Sequence, residues 1–187
     1  MLSWEELKAR CNSCHQCRLC SGRQNVVFGV GNPDADIMFI GEGPGEQEDL
    51  TGEPFVGPAG KFLDDMLSII DINRTNCYIA NIVKCRPPMN RDPQEDEQDA
   101  CIEYLKNQIE LVHPSIIVCL GRIAAKRLIS PDYRITRDHG SWICRNGIWM
   151  TSLYHPSALL RDPYKRPDTF MDLMLIRDKL KEVNAKL

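Results

Sequence analysis

Hydrophobic positions fall along the chain in two kinds of block. Short, nearly continuous apolar runs occur at Asp36–Ile40, Cys77–Val83 and Ile116–Leu120, with further candidates at Trp142–Arg145 and Ile148–Leu153. Runs of this length, closed by glycine or polar residues, predict strands buried on both faces. Between them apolar residues recur every three or four positions. Phe62, Leu63, Met66, Leu67 and Ile70 mark one face of a helix over about 59–70. Cys101, Leu105, Ile109 and Val112 mark one face of the next helix. Asp92 is its predicted N-cap, with Pro93 in the first turn and Glu95 at the third position. Further helices are predicted over Trp4–Arg10, 122–130 and about 169–185, and Tyr154–Arg161 is read as a loop. Strands alternating with helices predict an α/β sheet, at least partly parallel, covered on both faces. Ligands of such sheets sit beyond the carboxyl ends of the strands. Here those ends are Gly41–Asp49, the stretch around Asn81–Arg91, Gly121 and the His155 loop.

A length of 187 residues suits one domain spanning 1–187. Lysine and arginine number 23 against 26 acids, a net charge of −3, which excludes a globally basic nucleic-acid binder. No apolar run approaches a bilayer span, so no membrane association is expected. The start, Met1-Leu-Ser-Trp-Glu-Glu-Leu, lacks a basic segment followed by an apolar one, and a cytoplasmic location is expected. Nine cysteines change the picture. Their odd number, in a chain of this size without a secretion signal, favours a metal or cluster over a disulfide framework. Cys11, Cys14, Cys17 and Cys20 recur at every third residue. Either these four hold one site, or one Cys-x-x-Cys pair joins two distant thiols such as Cys85 and Cys101. Spacing leaves zinc and iron–sulfur both open. Cys77, Cys119 and Cys144, in apolar runs, read as inert core thiols.

Gly41-Glu-Gly-Pro-Gly45 follows a strand, but Glu46 breaks the dinucleotide-binding pattern and no basic residue lies in it. Carboxylates crowd the loop instead: Glu42, Glu46, Glu48, Asp49 and Glu53. One use for such a carboxylate is beside a cation that develops as a glycosidic bond breaks. Basic residues gather at Lys84, Arg86 and Arg91, over 122–139, and at Arg161, Lys165 and Arg166, so a net-acidic chain can still offer phosphates a basic face. Asn81, in an apolar strand, offers a donor and an acceptor to a base edge. Phe55 offers an aromatic face, and His155 a ring beside Pro156.

These motifs together, Cys14-His-Gln-Cys-Arg-Leu, Gly41-Glu-Gly-Pro-Gly-Glu-Gln-Glu-Asp49, Gly52-Glu-Pro-Phe-Val-Gly-Pro-Ala-Gly60, Asn81-Ile-Val-Lys-Cys-Arg-Pro-Pro-Met-Asn-Arg91, Cys101, Leu120-Gly121 and His155-Pro-Ser-Ala-Leu-Leu-Arg161, resemble the family 4 uracil-DNA glycosylases. The resemblance spans nearly the whole chain. It implies a three-layer α/β/α sandwich with a central, mainly parallel four-stranded sheet. It implies excision of uracil from single- or double-stranded DNA by base flipping and hydrolysis, leaving an abasic site without lyase action, by a monomer. It maps one structural [4Fe-4S] cluster onto Cys14, Cys17, Cys85 and Cys101, docking segment 11–20 on the core. Phe55, Asn81, His155 and the backbone of Gly41, Glu42 and Gly43 would bind uracil. An Asp that positions water in the best-known superfamily members corresponds to Gly43 here, so the resemblance leaves Glu42 as first candidate and Glu48 as second, with Asn90 orienting one of them. Leu159 would be the wedge filling the vacated base stack, and Arg86, Arg91 and Arg161 would meet DNA. The alternative is a noncatalytic iron–sulfur DNA-binding module of the same superfamily; a small electron carrier built on Cys11–Cys20 is a third reading. His139, in Arg137-Asp-His-Gly140, has no assigned part.

Overall fold

A computed structural model describes residues 2–184. The elements, in chain order, are α1 (Trp4–Asn12), β1 (Val30–Gly31), β2 (Ile37–Gly41), α2 (Glu46–Thr51), α3 (Pro58–Ser68), β3 (Tyr78–Asn81) and α4 (Glu95–Val112). Then follow β4 (Ile116–Leu120), α5 (Arg122–Leu128), α6 (Ile135–Asp138), β5 (Ile143–Arg145), β6 (Ile148–Leu153), α7 (Pro156–Arg161) and α8 (Arg166–Asn184). The predicted end of the last helix at Ala185 lies outside the described residues.

The sheet runs β1-β3-β2-β4-β6-β5. Its four central strands, β3, β2, β4 and β6, are parallel. They form the expected four-stranded parallel core, and the short β1 and β5 add an antiparallel strand at each edge. Alternate residues of each central strand serve opposite layers. Ile37 and Phe39 of β2 and Ile116 and Val118 of β4 face α3, α7 and α8, against Leu63, Leu67, Leu159 and Leu173. Met38, Ile40, Ile117 and Cys119 face α4 and α5, against Ile102, Leu105, Ala124 and Ala125. Burial on both faces is why these strands read as nearly continuous apolar runs. The amino-terminal α1 packs on α4, where the Tyr104 hydroxyl donates to the Arg10 carbonyl at 3.3 Å and Trp4 meets Phe28 and Tyr78. Among the described residues no helix is long and apolar enough to cross a membrane.

Several expectations need correction. The helix α4 starts at Glu95 with Gln94 as its N-cap, not at Asp92. The Glu97 carboxylate accepts from the Gln94 N–H at 2.8 Å and from both terminal nitrogens of Arg91 at 2.8 and 2.7 Å, which fixes the first turn two residues later. Tyr154–Arg161 is not all loop, because Pro156 occupies the first position of α7, where a missing N–H costs nothing. Cys77 and Cys119 are buried as expected, but Cys144 is exposed on the edge strand β5.

Leu105 is fully buried between α4 and the sheet. Leu105→Ala should lower unfolding stability by about 2–5 kcal/mol, as read by urea denaturation.

Candidate active site at the strand ends

The carboxyl ends of β2, β3, β4 and β6 deliver Gly41, Asn81, Gly121 and His155 to one edge of the sheet. There Asn81, Gly121 and His155 border a cavity of about 460 Å³, lined also by Glu42, Glu48, Phe55 and Asp92. Beyond the ladder the neighbouring segments stay zipped, since the Ile82 N–H donates to Gly41 O at 2.9 Å and the Val83 N–H to Glu42 O at 3.2 Å.

Asn81 is buried, and its Oδ1 has no hydrogen-bond partner among the described residues. A buried, unpaired amide oxygen costs free energy unless a ligand supplies the donor. A Cβ at Gly41 would lie 2.5 Å from that oxygen and 2.5 Å from the Phe55 ring, so only glycine lets the three meet. Phe55 adopts a left-handed backbone, with φ of 54°. Its conformation is held from behind. Arg74 donates to the Pro54 carbonyl at 2.8 Å and to the Phe55 carbonyl, and its Nε donates to Asp64 at 3.0 Å. Gly60 lets the Phe55 backbone close on α3, where a Cβ would fall 1.8 Å from its carbonyl oxygen. Arg74 escaped the sequence reading because its partners lie 19 and 20 residues away.

His155 stands opposite, its ring 5.8 Å from that of Phe55. It is the N-cap of α7, and its Nδ1 accepts the Ser157 N–H at 3.1 Å. An Nδ1 that accepts must carry no proton, so the neutral ring keeps its hydrogen on Nε2. Burial, with Arg161 nearby adding to it and Glu48 opposing, lowers its pKa to about 4. The ring is therefore a neutral donor over the physiological range.

The two candidate carboxylates part company. Glu48 accepts three backbone N–H groups, Gly45 at 3.1 Å, Val56 at 2.9 Å and Gly57 at 2.9 Å, and so pins the loop carrying Phe55. Glu42 has no such anchors. Burial and the adjacent, hydrogen-bonded Asp92 push its pKa up to about 7, against the pull of Arg122. Asp92 itself is paired with Arg122.

Around the rim, Arg86 donates to Asn90 Oδ1 at 2.8 Å and lies 3.8 Å from Glu46, which holds Asn90 in place. Arg161 lines the cavity and is exposed. Arg91 also lines the cavity, with its guanidinium gripped bidentately by Glu97. Leu159 is 0% exposed and belongs to the core, so its expected role as a wedge fails. Leu160, next along, and Met89, 94% exposed, are apolar side chains open to solvent. His139 bonds Asp172 at 2.6 Å and packs on Tyr154, 4.8 Å between rings, which makes it a brace between β6 and α8.

Six thiols line a second, small pocket: Cys11, Cys14, Cys17, Cys20, Cys85 and Cys101. The Arg23 guanidinium donates to Cys85 Sγ at 3.3 Å and the Lys84 N–H to Cys101 Sγ at 3.3 Å. Burial raises the thiol pKa of Cys11 to about 12 and of Cys101 to about 11, and also raises Cys17 and Cys85. Among the described residues no three Cys, His or acidic side chains close tightly enough to clasp a single ion. Lys84, expected on a basic face, is instead wholly buried beside this pocket.

A sequence model of the "Uracil DNA glycosylase superfamily" matches residues 28–177. A "Type-4 uracil-DNA glycosylase" of Archaeoglobus fulgidus is 42% identical, covering 94% of this chain and 92% of its own length. Proteins of the same name from Sulfurisphaera tokodaii and Thermotoga maritima are each 44% identical. They cover 95% and 84% of this chain, and 85% and 83% of their own lengths, respectively.

Because the folded pKa of His155 lies below its ordinary 6.5, the stability tied to its neutral form is present above that value and is lost as pH falls toward about 4. Nitrogen-15 NMR of the imidazole should show the Nε2–H tautomer unchanged from pH 8 down to about 5; titration near the ordinary value would contradict this.

Proposed function

The chain belongs to the uracil-DNA glycosylase superfamily, alongside type-4 members, and from that premise we propose that it excises uracil from DNA. One observation carries the reading: the unpaired amide oxygen of buried Asn81 faces the same cavity as the Phe55 ring and a neutral His155.

A base paired in a duplex must leave the stack to reach that cavity. Phe55 stacks on the extruded ring. Asn81 accepts from uracil N3–H through Oδ1 and donates to O4 through its amide NH₂. Cytosine reverses both partners and would leave two buried polar groups unpaired, a penalty of about 1–3 kcal/mol each. The C1′–N1 bond breaks with its electron pair moving onto the base, through an oxocarbenium-like state. His155 Nε2–H donates to O2 as negative charge grows there, so the neutral tautomer set by Ser157 is the useful one. The ionised Glu42 carboxylate stabilises the sugar cation, orients water on C1′ and takes its proton; solvent reprotonates the departed uracil. Glu48 holds the loop and takes no proton. Gly43 carries no carboxylate to compete for the water. The product is an abasic site, and water, not a lysine, is the acceptor. Single- and double-stranded uracil DNA are both substrates of a monomer, with Arg86 and Arg161 at the rim meeting phosphates.

The thiol pocket fits an iron–sulfur cluster. Six thiols and no carboxylate line it, backbone and guanidinium N–H groups already point at two of the sulfurs, and the buried Lys84 stands beside them. Cys14, Cys17, Cys85 and Cys101 would hold the [4Fe-4S] group, with Cys11 and Cys20 left over. When bound, it supplies a structural cross-link between the amino-terminal segment, the loop after β3 and α4.

A 5′-labelled oligonucleotide with one uracil, beside thymine and cytosine controls, should break after alkali at uracil only. Intact strands from the iron-loaded protein would sink the enzyme reading and leave a DNA-binding module. The single-turnover rate should rise through about pH 7 as Glu42 ionises, Glu42→Gln should abolish that limb, and Asp92→Asn should move it to lower pH. His155→Ala should slow excision by about 10²–10³-fold, the size of one lost oxyanion donor.

A further inference from the structure

Lys84 is the one lysine among the buried side chains of the described structure, with 1% exposure. Surface lysines keep their ammonium in water, and burying one requires hydrogen bonds and a counter-charge. The hydrogen bonds are present. Nζ donates to the Asn81 carbonyl at 2.9 Å and to Gln108 Oε1 at 2.6 Å. Gln108 is held in that orientation because its Nε2 donates to the Phe28 carbonyl at 2.8 Å and to the Tyr78 hydroxyl at 3.2 Å. Both acceptors of the ammonium are neutral. The sulfurs of Cys101 and Cys11 lie near it, and Cys101 would carry the opposite sign as a cluster-bound thiolate. Its own backbone N–H meets Cys101 Sγ at 3.3 Å.

The same residue thus touches two sites. Its backbone and charge face the thiol pocket. Its ammonium holds the peptide carbonyl of Asn81, whose side chain points into the other cavity with an unpaired oxygen. Fixing that carbonyl fixes the peptide plane from which the Asn81 side chain departs. We infer that Lys84 is a positioning residue that couples the two sites, serving as the buried counter-charge to the cluster-bound thiolates while it orients the amide that reads the base. The inference rests on the uracil-excising reading and adds to it a reason for the cluster: the bound thiolates hold Lys84 in place, and Asn81 stays aimed.

The test uses the full chain loaded with iron and sulfide, as wild type, Lys84→Met and Gln108→Leu. Three readouts are taken: inhibition by free uracil, affinity for DNA bearing an abasic-site analogue, and the midpoint potential of the cluster with its rate of bleaching by a chelator. Lys84→Met should weaken free uracil by about tenfold or more, the size of one lost charge-assisted hydrogen bond, while abasic-site affinity holds within about twofold. Its cluster should become harder to reduce, since removing a neighbouring positive charge disfavours the more negative state, and should bleach faster. Gln108→Leu keeps the charge, so its potential should stay near wild type while free uracil weakens. Unchanged uracil inhibition in iron-loaded Lys84→Met overturns the inference. Should Lys84→Met fail to fold or to load, Gln108→Leu decides, and unchanged uracil inhibition there overturns it equally. Wild-type protein that neither binds uracil nor cleaves uracil DNA would overturn the excision reading instead, a result distinct from failure of the coupling alone.

Discussion

Close approach at the end of β2 is the constraint on which the site depends. Gly41 has no side chain, and the space a Cβ would take is shared by the Asn81 amide and the Phe55 ring. The parallel sheet brings Gly41 opposite Asn81 in register. The loop from Gly45 to Gly57 must then fold back to place Phe55 over both. Glu48 closes that loop by accepting three backbone N–H groups, and Arg74 holds the left-handed turn from outside. Any side chain at position 41 would force apart the groups that must sandwich and read a planar base.

Polar groups around this core divide into those that are satisfied and those left open. Glu48, Asn90, Arg91 and Glu97 spend their hydrogen-bonding capacity on the protein itself. Asn81 Oδ1 and His155 Nε2 do not, Glu42 meets the Asp92 side chain but no backbone anchor, and all three residues face the cavity. That contrast separates catalytic candidates from scaffolding more sharply than residue type does, since Glu42 and Glu48 are the same amino acid six positions apart. It also places the thiol pocket in the design. The loop that follows Asn81 carries Lys84 and Cys85 within four residues, so a structural cluster and a recognition amide share one short stretch of backbone.

Much of this was legible in the sequence. Burial on both faces gave Ile116–Leu120 an unbroken apolar run, Ile148–Leu153 is a run interrupted by Thr151 and Ser152, and the bounds of both match the strands. The glycine, asparagine and histidine at the strand ends stood out because polar residues directly after such runs have few structural reasons to be there. Other features could not be read. The helix α2 is short and acidic, without an apolar face. Asp92 resembles a helix cap by local pattern, but the grip of Arg91 on Glu97, six residues on, moves the start and frees Asp92 to sit beside Glu42. Leu159 follows His155 at the spacing of a wedge, yet one turn of α7 rotates it into the core. Lys84 looks like surface charge beside Arg86, and only the tertiary contacts with Gln108 and Cys101 reveal a buried one.

The central claim is that the Asn81 amide reads the base in a cavity shared with His155. Its most direct measurement is an NMR titration of the iron-loaded protein, labelled with nitrogen-15, by free uracil and by cytosine. Saturable shifts of the Asn81 side-chain NH₂ and of His155 Nε2–H with uracil, and none with cytosine at equal concentration, are the predicted result. Equal response to both bases, or shifts with uracil that leave these two side chains unmoved, would contradict the account.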